Sequence, residues 1–175
     1  MKIQMPSPKD ILHRSSKKLA LQAAQLASTS AEFREELLTL ALRNEMPFSS
    51  RAAWALLSVA EQRPDLVLPS INLILDKVDA IENHTQISSL LRLFDALDMD
   101  LDECGKLFDF CIHMLRVPLE REYSRAIAMN ILLKFAKSYP DLIPEIKEQI
   151  TIAMPNFNAN HAKRKAAAVL KLLSR

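Results

Sequence analysis

Apolar residues recur along this chain at steps of three and four. Ile87, Leu90, Leu91, Phe94 and Leu97 form one such stripe, and Cys104, Leu107, Phe108, Cys111, Ile112 and Leu115 form another. That spacing puts each set on one face of an α-helix, so each helix buries a single side. No run of Val, Ile or Thr alternates at period two, which argues against strands. Between Ala126 and Ala136 the pattern changes: the segment is apolar nearly all round, and Asn130, Lys134 and Lys137 remain as a narrow polar stripe. A helix of that kind must be covered by neighbours on several sides.

Proline and aspartate punctuate these segments. Pro64-Asp65-Leu66-Val67-Leu68-Pro69 and Pro140-Asp141-Leu142-Ile143-Pro144 repeat one device. In each, the aspartate can cap a new helix by accepting first-turn N–H bonds, and proline is tolerated where N–H groups have no intrahelical partner. Reading outward from these marks predicts helices over 9–27, 31–44, 50–63, 66–81, 85–98, 101–116, 121–138, 142–154 and 160–174. The expected organisation is a short tail, 1–8, followed by one domain, 9–175, built of a leading helix and four helix pairs.

The second helices of the first, third and fourth pairs open alike, on Arg51-Ala52-Ala53-Trp54-Ala55-Leu56, Arg125-Ala126-Ile127-Ala128-Met129 and Arg164-Lys165-Ala166-Ala167-Ala168. Arg51 and Arg125 lie two periods of 37 apart, and Arg125 and Arg164 lie 39 apart. The missing member falls near Ser88, where the apolar spacing persists without the arginine. Two helices per unit at this period resemble the HEAT and armadillo-like repeats, whose second helix commonly begins with Arg followed by small apolar residues. The resemblance covers about 31–175. It implies an all-α fold, an α–α superhelix in which such pairs stack as a short solenoid, and a protein-binding or scaffold role. Tetratricopeptide repeats use a shorter unit and a recurring glycine, which a chain with one glycine does not supply.

Composition narrows the chemistry. A single glycine argues against phosphate-cradling loops and dinucleotide turns, which depend on it. Apolar segments such as Leu66–Leu75 are about half the length that crosses a bilayer, and the amino terminus lacks the apolar core of a signal peptide, so the chain reads as soluble and cytoplasmic. Cys104 and Cys111, seven residues apart on one helix, are too distant for a disulfide and read as small buried apolar side chains. The net charge of +2 is unevenly placed. Residues 1–18 carry five Lys/Arg and one Asp, residues 149–175 carry five Lys/Arg and no acid, and the middle is acidic. Basic ends around an acidic middle fit solvated helix faces or two contact surfaces.

Candidate sites are few. Asp98, Asp100 and Asp102 occupy the first three ligand positions of a calcium loop, but Glu103 stands where the turn needs glycine and Gly105 where it needs an apolar residue; the segment reads instead as a junction in which Asp100 or Asp102 caps the next helix. His13, His84, His113 and His161 are scattered, with no close-spaced pattern of metal ligands, so neither metal nor cofactor is expected. Trp54 shares a stripe with Arg51, Ser58 and Glu61, and reads as core or as a contact anchor. Helical-repeat DNA glycosylases place an aspartate near such an aromatic, and here Ser58 stands one turn on. Arg164, Lys171 and Arg175 form a basic edge on the last helix, suited to a solvated cap or to phosphates or an acidic partner. The function expected is non-catalytic recognition of a protein, through Arg51, Trp54, Asn130, Lys134 and Lys137. A nucleic-acid binder using the basic termini is the alternative, and an enzyme with a motif-free site ranks below both.

Overall fold

The computed structural model describes residues 6–118 and 122–174. Among them lie α1 (Pro8–Ile11), α2 (Lys17–Thr29), α3 (Ala31–Ala41), α4 (Phe48–Gln62), α5 (Ile71–Lys77), α6 (His84–Ala96), α7 (Gly105–Arg116), α8 (Tyr123–Ser138), α9 (Ile143–Ala153) and α10 (Asn160–Leu172), with short 3-10 turns between several of them and no strand. Arg175 and residue 121, the expected start of α8, lie outside the described residues. The helices divide into two compact units, one running to Leu97 and the other from Asp98.

In the first unit the expected leading helix is two helices. Ser7 opens α1 with a reciprocal cap: its hydroxyl accepts from the Asp10 N–H, and the Asp10 carboxylate accepts from the Ser7 N–H at 2.9 Å. The chain leaves α1 at Leu12 and re-enters helix after Ser16, because consecutive serines favour the non-helical backbone of a helix start. The break makes α1 and α2 a pair of their own and puts α2 beside α4. α2 buries Leu19, Ala20, Ala23, Ala24 and Ala27, and α4 buries Ala52, Ala53, Leu56, Leu57 and Ala60, each 33 residues on. Small side chains at matching positions let α2, α4 and α6 pack as one row of second helices. The α6 stripe foreseen from the sequence, Ile87 to Leu97, is buried throughout.

The helix expected over 66–81 is only Ile71–Lys77, flanked by 3-10 turns at 64–66, 68–70 and 78–80. The ring of Pro69 clashes with a helical carbonyl four residues back, so no continuous helix can pass through it. Nor does Asp65 cap: the turn it occupies has no side-chain cap, and its carboxylate takes a two-bond fork from Arg63 at 3.0 and 2.8 Å. Asp141 makes no cap either, and its turn runs directly into α9.

The second unit opens on the aspartate-rich junction. Asp100 is the cap, accepting from the Asp102 N–H at 3.0 Å, and the Cys104 thiol donates to the Asp100 carbonyl at 3.2 Å. From Gly105, α7 buries Leu107, Phe108, Cys111 and Leu115 and leaves Ile112 half-buried. Cys104 and Cys111 are both buried free thiols. α7 packs on α8 and α9, and α8 packs on α10; Phe108 meets Phe135 edge-on, with ring centroids 5.4 Å apart. Covered from several directions, α8 buries Ile127, Ala128, Met129, Ile131, Leu132, Phe135 and Ala136.

Candidate interaction surface

The repeat period reappears as hydrogen bonds between residues one unit apart. Asn44, in the turn between α3 and α4, donates to the Ala80 carbonyl at 2.8 Å and accepts from the Glu82 N–H at 3.2 Å. Glu122, just before α8, accepts from the N–H groups of Asn158 and Ala159 at 2.8 and 2.6 Å, just before α10. Lys9 pairs with Glu45, and the Tyr139 hydroxyl donates to Asp102. Each of these links spans 36 to 38 residues. Turns otherwise rich in unpaired backbone groups are thereby tied to the matching turns of the next pair.

The second helices are held at their amino ends by polar side chains that reach the carbonyls ending a first helix. Arg51 donates to the Leu12 carbonyl at 2.9 Å and lies over the Phe48 ring. Gln86 donates from one amide nitrogen to the carbonyls of Ala41 and Arg43, both at 2.8 Å. Arg125 donates to the Val117 carbonyl at 2.7 Å and to Glu122, with its guanidinium 4.7 Å from the Phe157 ring centre. The arginine missing near Ser88 thus has a stand-in two residues earlier, a fully buried glutamine. Burial pushes the Glu122 carboxyl up, but the N–H groups of Asn158 and Ala159 and the Arg125 guanidinium outweigh it, and the net pKa is lowered.

This assigns the Arg51 head group a tethering contact, and it separates Arg164 from the other two arginines. Arg125 is 3% exposed and Arg51 half-buried, whereas Arg164 is exposed. The buried trio Arg125, Met129 and Leu132 corresponds instead to Ala162, Ala166 and Val169, each 37 residues on. Arg164 then stands where α8 has buried Ile127, and the small residues Ala167 and Ala168 after it are exposed rather than packed.

What the anchors leave open is one stripe on each second helix. On α4 it holds half-buried Trp54 and exposed Glu61, the latter 3.5 Å from exposed Arg92 of α6; Leu21 of α2 is 40% exposed. On α8 the stripe begins at exposed Tyr123, runs through Ala126, Asn130, Leu133 and Lys134, all half-buried, and ends on exposed Lys137. Lys171 of α10 is exposed, and Arg175 lies outside the described residues. Arg51 and Trp54 belong to the first unit, and Asn130, Lys134, Lys137, Arg164 and Lys171 to the second. Sequence reasoning missed Asn44, Gln86 and Glu122. The signal was available for Gln86, a lone amide amid the apolar stripe of α6, and for Glu122, one helical turn before the marked Arg125.

A groove of about 410 Å³ lies between α1 and α3, lined in part by Ser7, Lys9, Glu32, Glu35, Glu36 and Arg43. Its acids sit on the solvent side of α3, and Lys9 is engaged by Glu45. Among the described residues no group of three His, Cys, Asp or Glu side chains could hold a metal ion, and no helix is long and apolar enough to cross a membrane.

No curated protein and no solved structure matches the chain. A family model does, and it spans both units. The chain belongs to the HEAT repeat domain family, whose model matches residues 9–171.

Proposed function

We propose that this chain is a non-catalytic recognition module that binds a protein through the open stripes of its second helices. The observation that carries the reading is the contrast on α8: the helix is buried on every side but one, and that side bears Asn130, Lys134 and Lys137. Anchored rigid helices present their open side chains already ordered, so a partner meets a surface with little entropy left to lose. Trp54 gives the first unit an aromatic side chain with part of its area available, the type that dominates contact energetics. The cytoplasmic, partner-binding role expected from the sequence belongs to this proposal.

Two variants test it, one in each unit. Trp54→Ala, and Asn130→Ala combined with Lys137→Ala, are expected to leave thermal unfolding little changed in the second case and modestly lowered in the first. Each should reduce the protein recovered with the chain from its native extract several-fold, in keeping with about 1 kcal/mol or more for a contact anchor. Recovery unchanged in both variants would overturn the proposal.

A further inference from the structure

Charge is sorted between the two helix rows of the second unit. α8 and α10 together carry seven Lys/Arg and no Asp or Glu, whereas α7 and α9 carry three Lys/Arg and three Asp/Glu. Of the seven, Arg125 is consumed inside the fold by Glu122 and the Val117 carbonyl. Lys137, Lys163, Arg164 and Lys171 are exposed. By the 37-residue register, Lys134 corresponds to Lys171 and Ala126 to Lys163, so the α8 stripe continues onto α10. Apolar atoms lie among the cations: Leu133 and Leu170 are half-buried and Ala167 is exposed. No aromatic residue, on which bases would stack, lies between the cations of α10, and Phe135, between Lys134 and Lys137, is buried; the exposed aromatic of this face is Tyr123 at the start of α8.

We infer that the α8–α10 face takes an acidic protein segment that also carries aliphatic side chains, its carboxylates meeting Lys137, Lys163, Arg164 and Lys171 and its apolar groups meeting Leu133, Ala167 and Leu170. The inference rests on the protein-binding reading above and names the partner's chemistry for one of its two stripes. Cations without competing acids on the same helices raise the potential over that face, steering an acidic partner and rejecting a basic one.

The test is fluorescence anisotropy with the full chain and four probes: a short peptide alternating Glu with Leu, its Lys–Leu counterpart, a poly-Glu peptide of the same charge, and duplex DNA. The Glu–Leu peptide should bind best and lose affinity with added salt. Lys137→Gln, Lys163→Gln and Lys171→Gln together should weaken it about tenfold or more. Lys106→Gln, Arg116→Gln and Lys147→Gln, which remove equal charge from α7 and α9, should leave it nearly unchanged. Equal losses in the two triple variants would reduce the effect to net charge and overturn the inference, as would tighter binding of DNA, or poly-Glu binding as well as Glu–Leu. If no acidic peptide binds while the Asn130 and Lys137 variant still loses its co-purifying protein, only the acidic assignment fails; if that recovery is also unchanged, the protein-binding reading fails for this stripe as well.

Discussion

Glu122→Ala is expected to be among the most destabilising single changes outside the apolar core, costing on the order of 3 kcal/mol. The carboxylate is 4% exposed and makes three contacts at once, accepting from the Asn158 and Ala159 N–H groups and from Arg125. Its removal strands a buried guanidinium and leaves two N–H groups at the start of α10 without an acceptor. Adding Arg125→Met to Glu122→Ala should cost less than the two single changes summed, because no unpaired charge is then left inside. Urea unfolding of the four proteins in the cycle measures this directly. The same group sets a pH dependence. Its folded pKa lies below the unfolded value, so its contribution is fully present above about pH 4.3, the ordinary glutamate value, and is lost as pH falls through the folded pKa. Glu122→Gln should therefore be less stable than the parent at neutral pH, with a gap that closes on acidification.

The second large effect is expected at Gln86. Its side chain is fully buried, and its amide nitrogen alone serves the carbonyls of Ala41 and Arg43 at the end of α3. Gln86→Ala leaves both carbonyls without that donor and opens a small void, at a cost of about 2 kcal/mol. Arg51→Ala, which removes one bond from a half-buried site, should cost about half as much. Denaturant midpoints with unchanged slopes check both values. Equal effects of the two substitutions would mean that burial does not separate these anchors.

Much of the architecture was readable in the order of residues, and the reasons are specific. The stripes of α6 and α7 follow from three-and-four spacing, which only a helix satisfies, and a cap at Asp100 or Asp102 follows from acid placed just before a new turn, Asp100 being the one that makes it. The split of the leading helix was less visible. Leu12 and Leu19 both fit a continuous stripe, and the break is a local matter of the two serines and the cap at Ser7. Reading Arg164 as the partner of Arg125 failed because their spacing of 39 overshoots the 37-residue register by two: buried Ala162 takes the place of Arg125, and exposed Arg164 that of Ile127. The turn-to-turn links could not be read in advance. Nothing local in Asn44 or Glu122 says that each will reach the next turn; that depends on how pairs stack, which becomes visible only in three dimensions.

The proposed recognition surface was only half legible. The narrow stripe on α8 is a property of the sequence, because from Ala126 to Lys137 every other position on that helix is apolar. Arg51, by contrast, was expected to face a partner, and the structure has it reaching the Leu12 carbonyl. A flexible basic side chain at a helix start serves either role, and only the end of α1 decides between them.

Site-specific photo-cross-linking from the helices of each unit tests the central claim most directly. A photoreactive residue is placed at 54, 130 or 137 on the second helices and, for contrast, at the exposed positions 35, 113 and 148 on the first helices. Illumination in the native cell should yield a discrete cross-linked protein from the first set and none from the second. A protein captured from 35, 113 and 148 but not from 54, 130 and 137, or cross-linking of the second-helix positions to nucleic acid alone, would contradict the account.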